Sequence, residues 1–191
     1  MQIQPTISLS ITRKVKAPTR GTRFSAGLDF YVPDDLTIGE LEKCYRNIGQ
    51  NMLDHVIITK SIDSPYSNDR YTDGFIEELV VVPGGELFIP TGVKVKLQNN
   101  TILKFENKSG IASKKGLLFG ACVIDEDYQG IVHINLWNVS NTNVRVCAGD
   151  KIAQGVIYPV FLDMPKVVPI DELYSEVSER GTGGFGSTGN K

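Results

Sequence analysis

From Leu79 onward the chain is cut into short apolar segments by turn residues at near-regular intervals, and this punctuation constrains the fold more than any other feature. Segments 79–82, 86–89, 92–97 and 102–106 are separated by Pro-Gly-Gly, Pro-Thr-Gly and Gln-Asn-Asn. Stretches this short cannot build useful helices, and their spacing predicts an all-β sandwich or barrel. Segment 131–138 alternates cleanly. It places Ile131, His133, Asn135 and Trp137 on one face and Val132, Ile134 and Leu136 on the other. Segments 7–15, 28–32, 144–147 and 152–160 read as further strands, and there is no internal repeat.

Residues 34–78 differ in character. Leu36, Leu41, Tyr45 and Ile48 recur at roughly helical spacing, which predicts a short helix over 36–47, and a polar run over 64–74 follows. Connections of this length are uncommon inside compact domains. The stretch therefore reads as an insertion that decorates the surface or binds a protein partner. A single helical turn is expected at 112–115. The body is expected to run from 1 to 179 as one domain, with a flexible Gly-rich arm at 180–191.

The formal net charge is −2, so no general polyanion-binding surface is implied and nucleic acid is not an expected partner. An anionic ligand must be met by a local cluster of cations. No apolar run approaches the roughly 18 residues that span a bilayer, and the N-terminus lacks a charged start followed by an apolar stretch. No membrane association is expected. Cys44, Cys122 and Cys147 are odd in number and form no CxxC, which suits buried thiols in a reducing cytoplasm rather than disulfides or zinc. His55 and His133 stand alone, and His133, lying in the alternating strand, is expected to be structural or on the surface.

Several fragments carry chemistry. The last eleven residues contain five glycines, one phenylalanine and a Ser-Thr pair, directly after Arg180. Such a segment holds no helix or strand, but its backbone N–H groups can approach anionic oxygens closely. Arg180 adds a forked cation suited to phosphate, and Phe185 adds a flat apolar face for a base or sugar. A phosphate-closing flap is expected here, rather than an idle tail. The run Glu106-Asn-Lys-Ser-Gly-Ile-Ala-Ser-Lys-Lys-Gly116 leaves a strand through a small polar turn, which can aim N–H groups at phosphate. Its three lysines also suit a plain solvated face. Val123-Ile-Asp-Glu-Asp-Tyr-Gln-Gly130 reads as a hairpin with acids at its tip. Asp127 and Gly130 suit turn chemistry, whereas Asp125 follows two apolar residues and is placed to face a cleft, where its carboxylate can deprotonate water. Tyr128 offers a ring to support a sugar. Gly149-Asp-Lys-Ile-Ala-Gln154 and Ser25-Ala-Gly-Leu-Asp29 are turns feeding strands, the latter with an acid that could position metal-bound water.

Taken in order, Ala26-Gly-Leu-Asp29, Lys108-Ser-Gly-Ile-Ala112, Val123–Gly130, Gly149–Gln154 and Arg180–Gly189 strongly resemble the five motifs of the trimeric dUTP pyrophosphatase (dUTPase) family. The resemblance implies a distorted jelly-roll and a homotrimer whose sites draw on all three subunits. It implies Mg²⁺-dependent hydrolysis of dUTP to dUMP and pyrophosphate. Carried onto this chain, it makes Asp125 the general base and puts Tyr128 under the deoxyribose. It has the backbone of Gly120, Ala121, Cys122 and Val123 reading the uracil edge. Lys108, Ser109 and Gly110 hold phosphates, with Gln154 in support. Gly184, Phe185 and Gly186 close over the base, and Arg180, Ser187 and Thr188 bind the outer phosphates. Asp29 contacts the water shell of the Mg²⁺. The chain departs from the family pattern at Lys108 and Lys151, where arginine is usual, at Cys122, where glycine is usual, and in the 34–78 insertion. The related dCTP deaminases use a glutamate on the strand after the third motif, and 130–138 contains no acid. A dUTPase-like regulator that binds a partner through the insertion is a further expectation.

Overall fold

Alternation sets the inner and outer faces of the strands. In Val93–Leu97 the residues Val93, Val95 and Leu97 are buried while Lys94 and Lys96 point outward. The computed structural model describes residues 7–62 and 74–183. Its strands are β1 (Ile7–Ile11), β2 (Thr19–Arg20), β3 (Leu28–Tyr31), β4 (Val56–Ile62), β5 (Phe75–Val81), β6 (Glu86–Pro90), β7 (Val93–Leu97), β8 (Thr101–Glu106), β9 (Leu117–Phe119), β10 (Val123–Ile124), β11 (His133–Asn138), β12 (Val144–Cys147) and β13 (Lys151–Pro159). Helix α1 is Ile38–Asn47, α2 is Ser109–Lys115 and α3 is Ile170–Leu173. All strand pairs are antiparallel. They form sheets ordered β10-β8-β13-β3-β2, β6-β11-β9, β12-β5-β4 and the pair β1-β7. Asn100, in the turn between β7 and β8, has a φ of 60°, a conformation asparagine tolerates better than most residues.

Several strands arrive unannounced by the sequence. The seven-residue β4 lies inside the insertion, and β2, β9 and β10 are too short to show a period. The expected hairpin at the third motif is corrected. β10 pairs with β8, whereas β11 pairs with β6 and β9, so residues 125–130 pass from one sheet to another. Turn residues flanked by apolar ones look the same whether the chain folds back on its own sheet or turns a corner between two.

The described part of the insertion is also more than a surface decoration. Thr37 caps α1: its side chain accepts from the backbone of Glu40 while the Glu40 side chain reaches back to Thr37, a reciprocal capping box. Leu36, Leu41, Tyr45, Met52 and Val56 join the same core as Ile76, Leu79, Leu87 and Ile89. The Tyr45 hydroxyl donates to the carbonyl of Glu86 and accepts the N–H of Phe88 at 3.3 Å. His55 Nδ1 accepts the N–H of Glu86 at 3.1 Å, and the two rings stack at 5.4 Å. Two side chains of the insertion thus satisfy the outer edge of β6, where a further strand would otherwise be needed. Burial pushes the Tyr45 hydroxyl pKa upward, which keeps it a donor.

The sequence reading carries the body through residue 179, but the chain divides into a compact unit of residues 1–160 and a second of 161–191. In the described part of the second unit Phe161, Met164 and Val167 are exposed, and its one helix is the short α3.

Because Leu41 is fully buried in the core, Leu41→Ala is expected to destabilise the protein by about 2–5 kcal/mol in urea unfolding. A loss near zero would mean that the insertion folds apart from the body.

Candidate active site

Three strands of one sheet bring the first, second and fourth motifs together. Asp29 lies on β3 opposite Gln154 of β13, and Gln154 in turn faces Glu106 at the end of β8. Gly27 packs so closely on Gln154 that a Cβ there would sit 2.5 Å from its side chain, so the 25–28 turn lies directly against the glutamine. Asp29 is 4% exposed. Its two oxygens meet two ammonium groups: Lys108 Nζ at 2.9 Å on Oδ1 and Lys151 Nζ at 3.1 Å on Oδ2. Burial pushes the Asp29 carboxyl up, and the hydrogen bonds and charges of Lys108 and Lys151 overcome this and hold it below its ordinary value. The same contact raises Lys151. Lys108 is the N-cap of α2 and provides no side-chain cap, so the first N–H groups of that helix, at Ser109 and Gly110, are not taken by it.

A second group surrounds a cleft of about 260 Å³ lined by Phe88, residues 121–125, Tyr128, His133 and Asn135. Asp125 is exposed at this cleft. Its carbonyl accepts the N–H of Tyr128 at 3.2 Å, which tightens the turn. The Tyr128 ring folds back over Gly130, where any Cβ would collide with the ring, and its hydroxyl donates to the carbonyl of Ile131 at 2.9 Å. The turn at 120–122 is pinned at three points. Gly120 N–H donates to the Asn135 carbonyl at 3.1 Å, Ala121 N–H donates to Asn135 Oδ1 at 2.8 Å, and Phe105 N–H donates to the Cys122 carbonyl at 2.8 Å. Gly120 must be glycine here, because a Cβ would stand 2.0 Å from Asn135 Oδ1 and 2.8 Å from the Trp137 indole nitrogen.

Phe88, His133 and Asn135 belong to the cleft, although sequence reasoning assigned them no part in it. His133 stacks on Phe88 at 5.0 Å, and burial lowers its pKa, so the ring is neutral near pH 7. A signal was present: His133 and Asn135 are polar residues on one face of a strand whose other face there carries Val132, Ile134 and Leu136. Cys122, at the position where the family pattern has glycine, is among the residues lining the cleft and also packs against the core.

Arg180 occupies a turn in the second unit and donates through Nε to the carbonyl of Gly183 at 3.0 Å. Gly184, Phe185, Gly186, Ser187 and Thr188 lie outside the described residues. Among the described residues no group of three His, Cys, Asp or Glu is placed to hold a metal, and no helix is long and apolar enough to cross a membrane.

The first unit thus combines an antiparallel β architecture with a lysine-clamped aspartate and an acid-lipped cleft. The dUTPase family model matches residues 75–189, a span that holds the second to fifth motifs. A deoxyuridine 5'-triphosphate nucleotidohydrolase of Hydrogenovibrio crunogenus is 34% identical over 140 residues, covering 69% of this chain and 90% of its own. That of Yarrowia lipolytica is 37% identical over 113 residues, covering 59% and 71%. Among solved structures, the Staphylococcus bacteriophage 80alpha dUTPase bound to dUPNHPP superposes with a TM-score of 0.65 at 22% identity, over 96% of this chain and 98% of that one. The EIAV dUTPase gives 0.54 at 19% identity, over 86% and 98%. The chain belongs to the dUTPase family.

The clamp at Asp29 sets a pH dependence. A carboxyl whose folded pKa is depressed stabilises the fold above its ordinary value near 4, and this contribution is lost as pH falls through the lower folded value. Asp29→Asn is therefore expected to lower the melting temperature at neutral pH, with the gap to the unaltered protein closing below about pH 4. Thermal unfolding followed across that range checks this, and a gap of constant size would show that the lysine pair contributes nothing through charge.

Proposed function

We propose that the protein hydrolyses dUTP to dUMP and pyrophosphate, with Asp125 as the general base. One observation carries the assignment of roles: Asp125 and Tyr128 line the same cleft as residues 121–124, within the span matched by the family model. In this reading the pyrimidine enters the cleft and meets the backbone of 120–123, and Tyr128 lies beneath the sugar. Asp125, open to solvent, takes a proton from the water that attacks the α-phosphorus, and the pyrophosphate group leaves. The protein contributes mainly position and charge, as expected for phosphoryl chemistry.

The cations lie elsewhere. Lys108, Lys151, Gln154 and the uncapped N–H groups of Ser109 and Gly110 form the phosphate-binding side, yet none of them lines the cleft. Two half-sites on separate parts of one chain support a homotrimer in which the base half of one subunit faces the phosphate half of another. The nucleotide contacts that the family resemblance assigns to Arg180, Phe185, Ser187 and Thr188 belong to the same proposal.

The donor set fits a Mg²⁺ that arrives on the triphosphate rather than one held by the protein alone. The described residues offer no three-ligand cluster, and each Asp29 oxygen, though on a lysine, keeps a lone pair for a bridging water. When bound, the ion supplies charge neutralisation to the phosphate oxygens. Base deamination is not favoured. β11 carries no acid, and Glu86, on the neighbouring strand, does not line the cleft and is engaged by Asn135.

Pyrophosphate release measured with dUTP, dCTP, dTTP and UTP tests the proposal, with dUTP expected to react and the others far less. Asp125→Asn is expected to lower kcat by roughly 10²–10⁴-fold with little change in affinity for a non-hydrolysable dUTP analogue. Turnover close to that of the unaltered protein would remove Asp125 from the role of base.

A further inference from the structure

Glu86 lies on β6, on the same sheet face as the cleft residues Phe88, His133 and Asn135. It is buried at 6% exposure, and its Oε1 accepts a hydrogen bond from Asn135 Nδ2. Its Oε2 is also buried and has no hydrogen-bond partner among the described residues. No lysine or arginine forms an ion pair with it among those residues. A buried carboxylate in such surroundings costs stability, and an apolar residue would pack there at lower cost. Stability therefore does not account for it.

The chemistry of the pair does. Glu86 Oε1 accepts from the Asn135 Nδ2, so the Asn135 amide turns its NH₂ toward Glu86. Its oxygen is then forced toward the 120–122 turn, where it takes the N–H of Ala121 at 2.8 Å. Were the amide reversed, two acceptors would face each other at Glu86 and two donors at Ala121. Of the three pins on that turn, Asn135 supplies two, and Glu86 holds the far end of the side-chain pin. Glu86 is itself fixed from behind, since Tyr45 takes its carbonyl and His55 its N–H. The order of dependence runs from the insertion to Glu86, to Asn135, to the turn.

We propose that Glu86 is a specificity-determining positioning residue: it locks the Asn135 amide in one orientation and thereby holds the 120–123 backbone in the form that selects the pyrimidine. This rests on the reading of 120–123 as the segment that meets the base. Glu86 touches no substrate atom in this scheme, and Asp125 keeps its place through the pairing of β10 with β8.

The test compares kcat and KM for dUTP and dCTP by pyrophosphate release in the full-length protein and in Glu86→Ala, Glu86→Asp and Glu86→Gln. The ratio of kcat/KM between the two nucleotides does not depend on the fraction of folded enzyme, so partial misfolding leaves it readable. Alanine removes the acceptor, and aspartate, one methylene shorter, withdraws it while keeping the charge. Both are expected to raise the KM for dUTP and lower the dUTP-to-dCTP ratio by about tenfold or more, with kcat for dUTP within about threefold. Glutamine keeps an acceptor oxygen within reach and is expected to restore the ratio to within about threefold of the unaltered protein. Should the alanine protein fail to fold, the aspartate and glutamine pair still decides. An unchanged ratio in the aspartate protein overturns the proposal, as does a glutamine protein as impaired as the aspartate one. Unaltered protein that releases no pyrophosphate from dUTP would overturn the functional reading itself, an outcome distinct from either of these.

Discussion

One buried carboxylate between two ammonium groups holds one end of the largest sheet together. Asp29 comes from β3, Lys108 from the exit of β8 and Lys151 from the start of β13, so a single cluster of charge ties three separated parts of the sequence. Neither lysine is wholly buried, so both remain within reach of solvent and of an incoming anion. Two neighbouring cations repel each other, and Asp29 balances that repulsion while fixing where they stand. The family more often has arginine at both places. Lysine lacks the planar fork, so at these positions this chain meets an anion with two point charges.

The insertion plays the corresponding part beside the cleft. Its helix is anchored by a capping box and buries Leu41 and Tyr45, and its polar groups reach the free edge of β6. An exposed sheet edge must be paired, covered or charged. Here Tyr45 and His55 cover it at the level of Glu86 and Phe88, the residues that stand beside and within the cleft. A segment that looks dispensable in sequence is therefore continuous with the wall of the candidate active site.

The sequence announced much of this through periodicity and punctuation. The strand alternation in 131–138 correctly separated Val132, Ile134 and Leu136, which are in the core, from His133 and Asn135. The helical spacing of Leu36, Leu41 and Tyr45 located α1 to within a few residues, and 144–147 was found as it stands. The failures have a common cause. β2, β9 and β10 are two or three residues long, too short to display a period. The seven-residue β4 carries Thr59, Lys60 and Ser61 on an edge, where solvent exposure blurs the alternation. The supposed hairpin at the third motif failed because a turn's residues specify its local bend and not which strands it joins.

By itself the sequence determined the all-β class, the five motifs and the candidate site groups, since these follow from local pattern and side-chain chemistry. Only the tertiary structure decided which of those groups meet. It placed Asp29 between two lysines, separated the cations from the acid-lipped cleft, and set Glu86 behind Asn135 across neighbouring strands. Each of these depends on contacts between residues far apart in the chain, and a one-dimensional pattern carries no term for distance through space.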